Sequence, residues 1–185
     1  MKKLLFFAGL GYLLLLLGCK KAKIDNPLDT DLEFRLELLD KFGQVTTTFK
    51  QGDNFRFKFV MINKAMKQRS WCFRQESLNL NDDFFRVYKR FDDKKTVGRP
   101  VNSPMFLSKI ACFPIYDSMR LAIDWMPQQG VYYSRMDNYH FENKPLPAGL
   151  YRTGFTNVLE FYSDGDLSTV YKTSPLTFNV DFEVK

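Results

Sequence analysis

The side chains most able to do chemistry in this chain are few and scattered. His140 is the single histidine. A Ser/His/Asp triad would have to use it, within Asp137-Asn138-Tyr139-His140-Phe141, and no G-x-S-x-G turn, P-loop or Rossmann glycine pattern accompanies it. One histidine also rules out the paired-histidine helix of zinc proteases and any His-rich metal site. Acidic residues cluster at Asp82-Asp83, Asp92-Asp93 and Asp164-Gly165-Asp166. Calcium takes about six to eight oxygen ligands, and Asp164 with Asp166 would supply two of them; the rest of a calcium loop is missing, so these read as turn residues. Cysteines stand at 19, 72 and 112 with no C-x-x-C or Cys/His spacing, which leaves no metal or redox motif. We therefore expect no enzymatic activity and no cofactor.

Aromatic chemistry is the remaining resource: nineteen Phe, nine Tyr and two Trp make 16% of the chain, a density that calls for a place to put the rings. Most Phe fall on the apolar side of alternating segments, where each buries about 150–250 Å² as core. Between Tyr116 and Phe141, however, Tyr116, Trp125, Tyr132, Tyr133 and Tyr139 are interrupted by Gln128, Gln129, Arg135, Asp137 and Asn138. Aromatics among polar residues in a loop can stack on sugars or anchor a protein partner. The plainer reading of the same segment is a second piece of core with an ordered loop.

The first nineteen residues, MKKLLFFAGLGYLLLLLGC, place Lys2 and Lys3 before an apolar run from Leu4 to Leu17. Fourteen residues at about 1.5 Å each reach roughly 21 Å, short of a ~30 Å hydrocarbon core, so the run reads as a signal peptide and not a spanning helix. Leu16-Leu17-Gly18-Cys19 resembles the lipobox of bacterial lipoproteins, including the outer-membrane lipoproteins of Bacteroidetes type. That resemblance implies cleavage before Cys19, a covalent lipid on its sulfur, and an outer-membrane location. Lys20 after the cysteine is compatible with it, and the absence of an acidic export run favours the periplasmic face. Multiple acyl chains hold a protein stably, at about 0.8 kcal/mol per buried methylene. With Cys19 consumed by the anchor in an oxidising compartment, Cys72 and Cys112 are left either as a natural disulfide, which would stabilise the fold by about 4 kcal/mol in the chain-entropy view, or as two separate buried thiols.

The leader also accounts for the charge. Of 27 Lys and Arg, five precede residue 24, leaving 22 against 21 Asp and Glu. A nearly neutral folded part does not supply the basic stripe that nucleic acid requires. Lys20, Lys21 and Lys23 suit an anionic membrane surface.

The elements that must position all this are strands. Leu32–Leu38, Phe55–Met61, Met119–Trp125 and Leu176–Val184 alternate apolar and polar residues, as half-buried strands do. Shorter candidates are Val45–Phe49, Ser70–Arg74, Phe84–Lys89, Leu150–Phe155 and Thr169–Lys172, separated by turn residues such as Phe42-Gly43-Gln44 and Asp164-Gly165-Asp166. Ser103–Ile110 suits a short helix or a loop. The expected fold is all-β: an antiparallel two-sheet immunoglobulin-like sandwich of about seven to nine strands. Residues 1–18 form the leader, 19–31 a flexible lipid-anchored linker holding Pro27, and 32–185 the domain. Pro147-Ala148-Gly149-Leu150-Tyr151 resembles the penultimate-strand entry of immunoglobulin-like domains, with Tyr151 as the corner tyrosine. With Ile62-Asn63 and the terminal strand, it also resembles BsuPI-type proteinase-inhibitor sandwiches. Adjacent strand residues face opposite sides, so Trp71 is not expected to stack on a disulfide from Cys72.

These readings converge on a non-catalytic, membrane-anchored envelope module that binds another envelope protein. A glycan-binding accessory protein and a proteinase-inhibitor-like module are the alternatives.

Overall fold

The computed structural model describes residues 26–66, 69–75, 78, 84–100, 110–126, 130–133 and 140–185. Cys19, Tyr139 and residues 103–109 lie outside these. Among the described residues, one short helix, α1 (Pro27–Asp31), precedes fourteen strands: β1 (Leu32–Leu39), β2 (Thr48–Phe49), β3 (Phe55–Asn63), β4 (Trp71–Arg74), β5 (Val87–Lys89), β6 (Asp92–Gly98), β7 (Ile110–Phe113), β8 (Ser118–Trp125), β9 (Gly130–Tyr133), β10 (His140–Asn143), β11 (Gly149–Asn157), β12 (Glu160–Ser163), β13 (Asp166–Lys172) and β14 (Leu176–Val184). The all-β sandwich is as expected, with more strands. Sheets of order β1-β3-β8, β2-β14-β11-β5-β6 and β13-β12-β4-β7 are joined by a separate β9–β10 hairpin. All pairings are antiparallel except β14 with β2.

The extra strands arise because two long ribbons bend. In the first, β3 pairs with β8 along its length, and beyond a break β4 pairs with β7. In the second, β11 pairs with β14, and beyond its break β12 pairs with β13. The first ribbon begins in the three-stranded sheet and the second in the five-stranded one, and both end in the four-stranded sheet, where β12 lies beside β4.

A bend exposes backbone amides and carbonyls that the ladder no longer pairs, and a buried polar side chain meets that need at each corner. Asn63 is fully buried; its Nδ2 donates to the Arg69 carbonyl at 2.8 Å and the Phe113 carbonyl at 3.4 Å, while its Oδ1 accepts from the Ala65 amide at 3.0 Å. Its backbone completes the corner with Tyr116 N–H to Asn63 C=O at 2.9 Å and Asn63 N–H to Asp117 C=O at 3.0 Å. At the second corner the Thr173 Oγ1 accepts from Leu159 N–H at 3.0 Å, and Thr173 N–H donates to Leu159 C=O at 3.0 Å. Cys72 and Cys112 face each other across β4 and β7 and are disulfide-bonded, fastening the first ribbon just past its corner. Trp71 turns away from that bond, as expected, and packs edge-on to Tyr171 at 5.2 Å and Phe161 at 6.5 Å.

The core is written in phenylalanine. Phe59 on β3 meets Phe155 at 5.4 Å and Phe178 at 5.3 Å from the five-stranded sheet, and Phe34 at 6.3 Å within its own. Phe34 then reaches Phe161 of the four-stranded sheet at 6.0 Å, so one chain of rings ties all three sheets. Gly154 on β11 lies so close to β14 that a Cβ there would sit 2.0 Å from the Phe178 carbonyl. Only glycine lets the two strands approach in that way.

Residues 26–31, expected to belong to a flexible linker, are instead part of the domain. Asn26 caps α1, its Oδ1 accepting from Leu28 N–H at 3.2 Å, with Pro27 in the first turn. The Asn26 Nδ2 donates to the Lys172 carbonyl at 2.6 Å. At the other end, Lys64 N–H donates to the Asp31 carbonyl at 2.6 Å, and Arg69 pairs with the Asp31 carboxylate at 3.4 Å. Leu28 is fully buried between these attachments. One apolar residue on a single helical turn has no periodicity for a sequence reading to detect, and so the segment looked like tether.

Candidate functional site

Of the residues expected to form one aromatic site, Tyr116 and Trp125 do not come together, and Tyr139 lies outside the described residues. Tyr116 and Trp125 flank β8, whose eight residues at about 3.4 Å each separate them by roughly 27 Å. Tyr116 lies in the turn at the first corner, with φ of 62° and 81% exposure. Trp125 is at the opposite end and fully buried, stacked on Phe55 at 5.8 Å. The alternation of β8 directs Trp125 inward together with Leu121 and Ile123, so we withdraw it as a ligand contact. Tyr132 and Tyr133 lie on β9, opposite Phe141 and His140 of β10. That hairpin follows β8 in the chain, with four residues between Trp125 and Gly130, and its β10 lies near β6 of the five-stranded sheet.

The Trp125 end gathers the loops that can meet a partner. The β1–β2 turn is closed by the Asp40 carboxylate, whose Oδ1 accepts from the Phe42 and Gln44 amides, each at 2.9 Å. Asp40 C=O accepts from Gly43 N–H at 3.0 Å, and Gly43 takes φ of 80°, which glycine adopts without strain. The turn lifts Phe42 to 76% exposure, with the Lys41 ammonium 5.3 Å from the ring centroid, a cation–π contact. The next turn is closed by Asp53, whose Oδ2 accepts from Lys50 N–H at 3.1 Å. The terminal strand fills the space beside both turns, with Lys185 N–H donating to Phe49 C=O at 2.9 Å. Between them lies a cleft of about 410 Å³ lined by Lys41, Phe42, Thr46, Thr48, Lys50 and Lys185, among others.

The electrostatics follow from those hydrogen bonds. Both carboxylates at the cleft accept amides of their own turns, and among the described residues no carboxylate pairs with Lys41 or Lys50. Lys185 lies 3.5 Å from Glu183. Beneath the turn, Arg56 forms a two-toothed pair with Asp124 at 2.5 and 3.0 Å, which holds the guanidinium above its ordinary pKa. The cleft is thus a half-open recess lined by three lysines and two turn-bound aspartates, with one exposed phenyl ring at its lip.

Tyr151 performs the expected corner role, its hydroxyl donating to the Pro147 carbonyl at 2.7 Å. Burial pushes its pKa up. The bond secures the return from the β9–β10 hairpin into β11. The Asp164-Gly165-Asp166 turn also behaves as its chemistry indicated. Asp166 accepts from the Ser168 hydroxyl at 2.5 Å and the Ser168 amide at 2.9 Å; the Ser168 hydroxyl first, then Thr169, holds its carboxyl down to about 2. The Asp164 carboxylate lies near the sulfurs of Cys72 and Cys112, but disulfide sulfurs have no thiolate to offer a metal ion.

The sequence reading places Phe42 in a turn, Phe42-Gly43-Gln44, without treating its ring as a contact. The local signal was present: a phenylalanine inside Asp40-Lys41-Phe42-Gly43 is in a turn, where no neighbouring strand covers it. No protein-family model matches the chain, and no curated protein matches it.

Proposed function

We propose that this protein is a non-catalytic lipoprotein of the outer membrane, held by a lipid on Cys19 and binding another envelope protein through the loop end of its sandwich. The periplasmic face is the proposed location. The observation that supports this most is the separation of the two ends. The chain enters the domain at Asn26, whereas the cleft and exposed Phe42 lie at the far end of β1 and β8. A tethered recognition module needs that arrangement, with its binding loops directed away from the attachment point.

An exposed ring with the Lys41 and Lys50 ammonium groups beside it suits a partner that presents apolar and acidic groups together, because aromatic anchors carry interface energy and complementary charge sets specificity. Affinity capture from intact envelopes tests this. The wild-type chain should retain a discrete partner that a Phe42→Ala, Lys41→Ala double variant loses by at least about tenfold. Retention at wild-type level would contradict the assignment of the binding end. For the anchor, Cys19→Ala should leave the membrane fraction; a variant that stays there would remove the lipid from the account.

Glycan binding stays as a second reading on the strength of Tyr132 and Tyr133, neighbours on the β9–β10 hairpin. Trp125 no longer supports it. Calorimetry with envelope glycans separates the two readings, since the protein-binding account predicts no heat from them.

A further inference from the structure

The surface beside Asn26 has features of its own. α1 lies alongside the open edge of the four-stranded sheet: Asn26 bonds to Lys172 at one end of β13, and Asp31 bonds to Lys64 and Arg69 at the other. The β12–β13 turn closes the loop between them, Asp164 N–H donating to Ser70 C=O at 3.0 Å. Along this rim, Leu167 is 57% exposed, Val170 42% and Met66 98%, and Tyr116, in the turn beside Asn63, follows. The cations of the rim are matched: Lys64 with Glu33 at 2.8 Å, Arg69 with Asp31, and Lys172 with Glu160 at 2.8 Å. Among the described residues no cation pairs with Asp164 or Asp166 of the β12–β13 turn, so a rim of exposed apolar side chains and acidic turn residues is no attraction for an acidic protein.

We propose that this rim rests on the lipid bilayer that holds the anchor, so that Leu167, Val170, Met66 and Tyr116 contact the headgroup and upper acyl region. The inference rests on the anchoring proposed above. Its argument is the length of chain between the lipid and the domain. Six residues lie between Cys19 and Asn26, and the seven fully extended steps from one to the other span at most about 25 Å. The docking of residues 26–31 removes the extra reach that a linker ending at Asp31 would have had. The domain is therefore confined near the membrane, and the rim carrying Asn26 is its nearest surface. Lys20, Lys21 and Lys23 in the tether supply the attraction to anionic headgroups, and the rim supplies apolar contact, a combination that strengthens interfacial binding. Tyrosine at the corner suits that depth, where an amphipathic ring meets both water and acyl chain.

The test uses the full lipidated chain on phosphatidylethanolamine and phosphatidylglycerol vesicles that carry a headgroup nitroxide lipid. Leu167→Cys and Phe42→Cys variants are each labelled with one fluorophore, and flotation is measured on the same samples. The account predicts flotation of both and quenching about threefold stronger at 167 than at 42. Flotation with equal quenching, or with stronger quenching at 42, overturns the rim while leaving the anchor standing. Failure to float overturns the anchor and the rim with it. The unsubstituted protein provides a check independent of any variant. Acylation of Lys64 and Lys172 should slow on vesicles relative to detergent, and that of Lys41 and Lys50 should not; equal slowing of all four contradicts the proposal.

Discussion

At the end where the chain enters the domain, Lys64, Arg69 and Lys172 each lie against a carboxylate, and α1 is bonded at both its ends. At the other end of β1, the carboxylates of Asp40 and Asp53 are bonded to amides of their own turns, and Lys41 and Lys50 stand beside an exposed phenyl ring. The acids of the first end stand on α1, β1 and β12 and pair with neighbouring cations, whereas those of the second stand in turns and hold backbone amides. The difference teaches that the role of a charge in this fold is decided by which hydrogen bonds its turn requires. A count of Lys and Asp along the sequence cannot reveal that.

The harshest way to break the comparison is to damage what both ends share. Gly154→Ala drives a methyl into the Phe178 carbonyl between β11 and β14 and should destabilise the domain by about 3 kcal/mol or more in a denaturant titration. A loss below about 1 kcal/mol would mean that the strands can part there without consequence. Removing the disulfide with Cys72→Ala and Cys112→Ala should remove roughly 2–4 kcal/mol. Hydrogen exchange should then accelerate first in β4 and β7, while the turns at Asp40 and Asp53 keep their protection relative to the rest. Uniform acceleration would show that the two ends do not open separately.

Smaller changes sharpen the contrast. Leu28→Ala empties the site under α1 and should cost about 2–4 kcal/mol, together with fast exchange at residues 26–31. Tyr151→Phe removes one hydrogen bond at the loop end and should cost about 1 kcal/mol, seen as a small drop in Tm with α1 untouched. The least effect is acidic. Asp166 is held from 3.8 to about 2, and Asp181 is held low chiefly by its bond to Arg152. Groups depressed in the folded state stabilise it above the unfolded pKa and lose that contribution as pH falls through the folded one. Tm should therefore decline between about pH 4 and pH 2, and carboxyl NMR should place Asp166 at the bottom of that window. A flat Tm there would contradict the bonded turn.

Much of the architecture is legible in residue order. β1, β3, β8 and β14 alternate cleanly because one face of each is core, and the residues of their turns are the usual ones. β6, written Asp-Asp-Lys-Lys-Thr-Val-Gly, is an edge strand with little to bury, so alternation does not mark it. The corners were hidden for a different reason. Asn63 and Thr173 look like surface residues until the unpaired amides they serve are known. The aromatic segment misled because nearness in sequence is not nearness in space: a strand places Tyr116 and Trp125 at opposite ends, and its inward face takes the tryptophan. The lipobox resemblance concerns residues outside those described and carries its own test in Cys19→Ala.

The division of labour between the ends is most directly measured by photo-crosslinking in intact envelopes, with the same photoreactive amino acid placed at position 42 in one strain and at 167 in another. The account predicts a discrete protein adduct from position 42 and lipid adducts without that protein from position 167. The same protein captured from both positions, or from 167 alone, would contradict it.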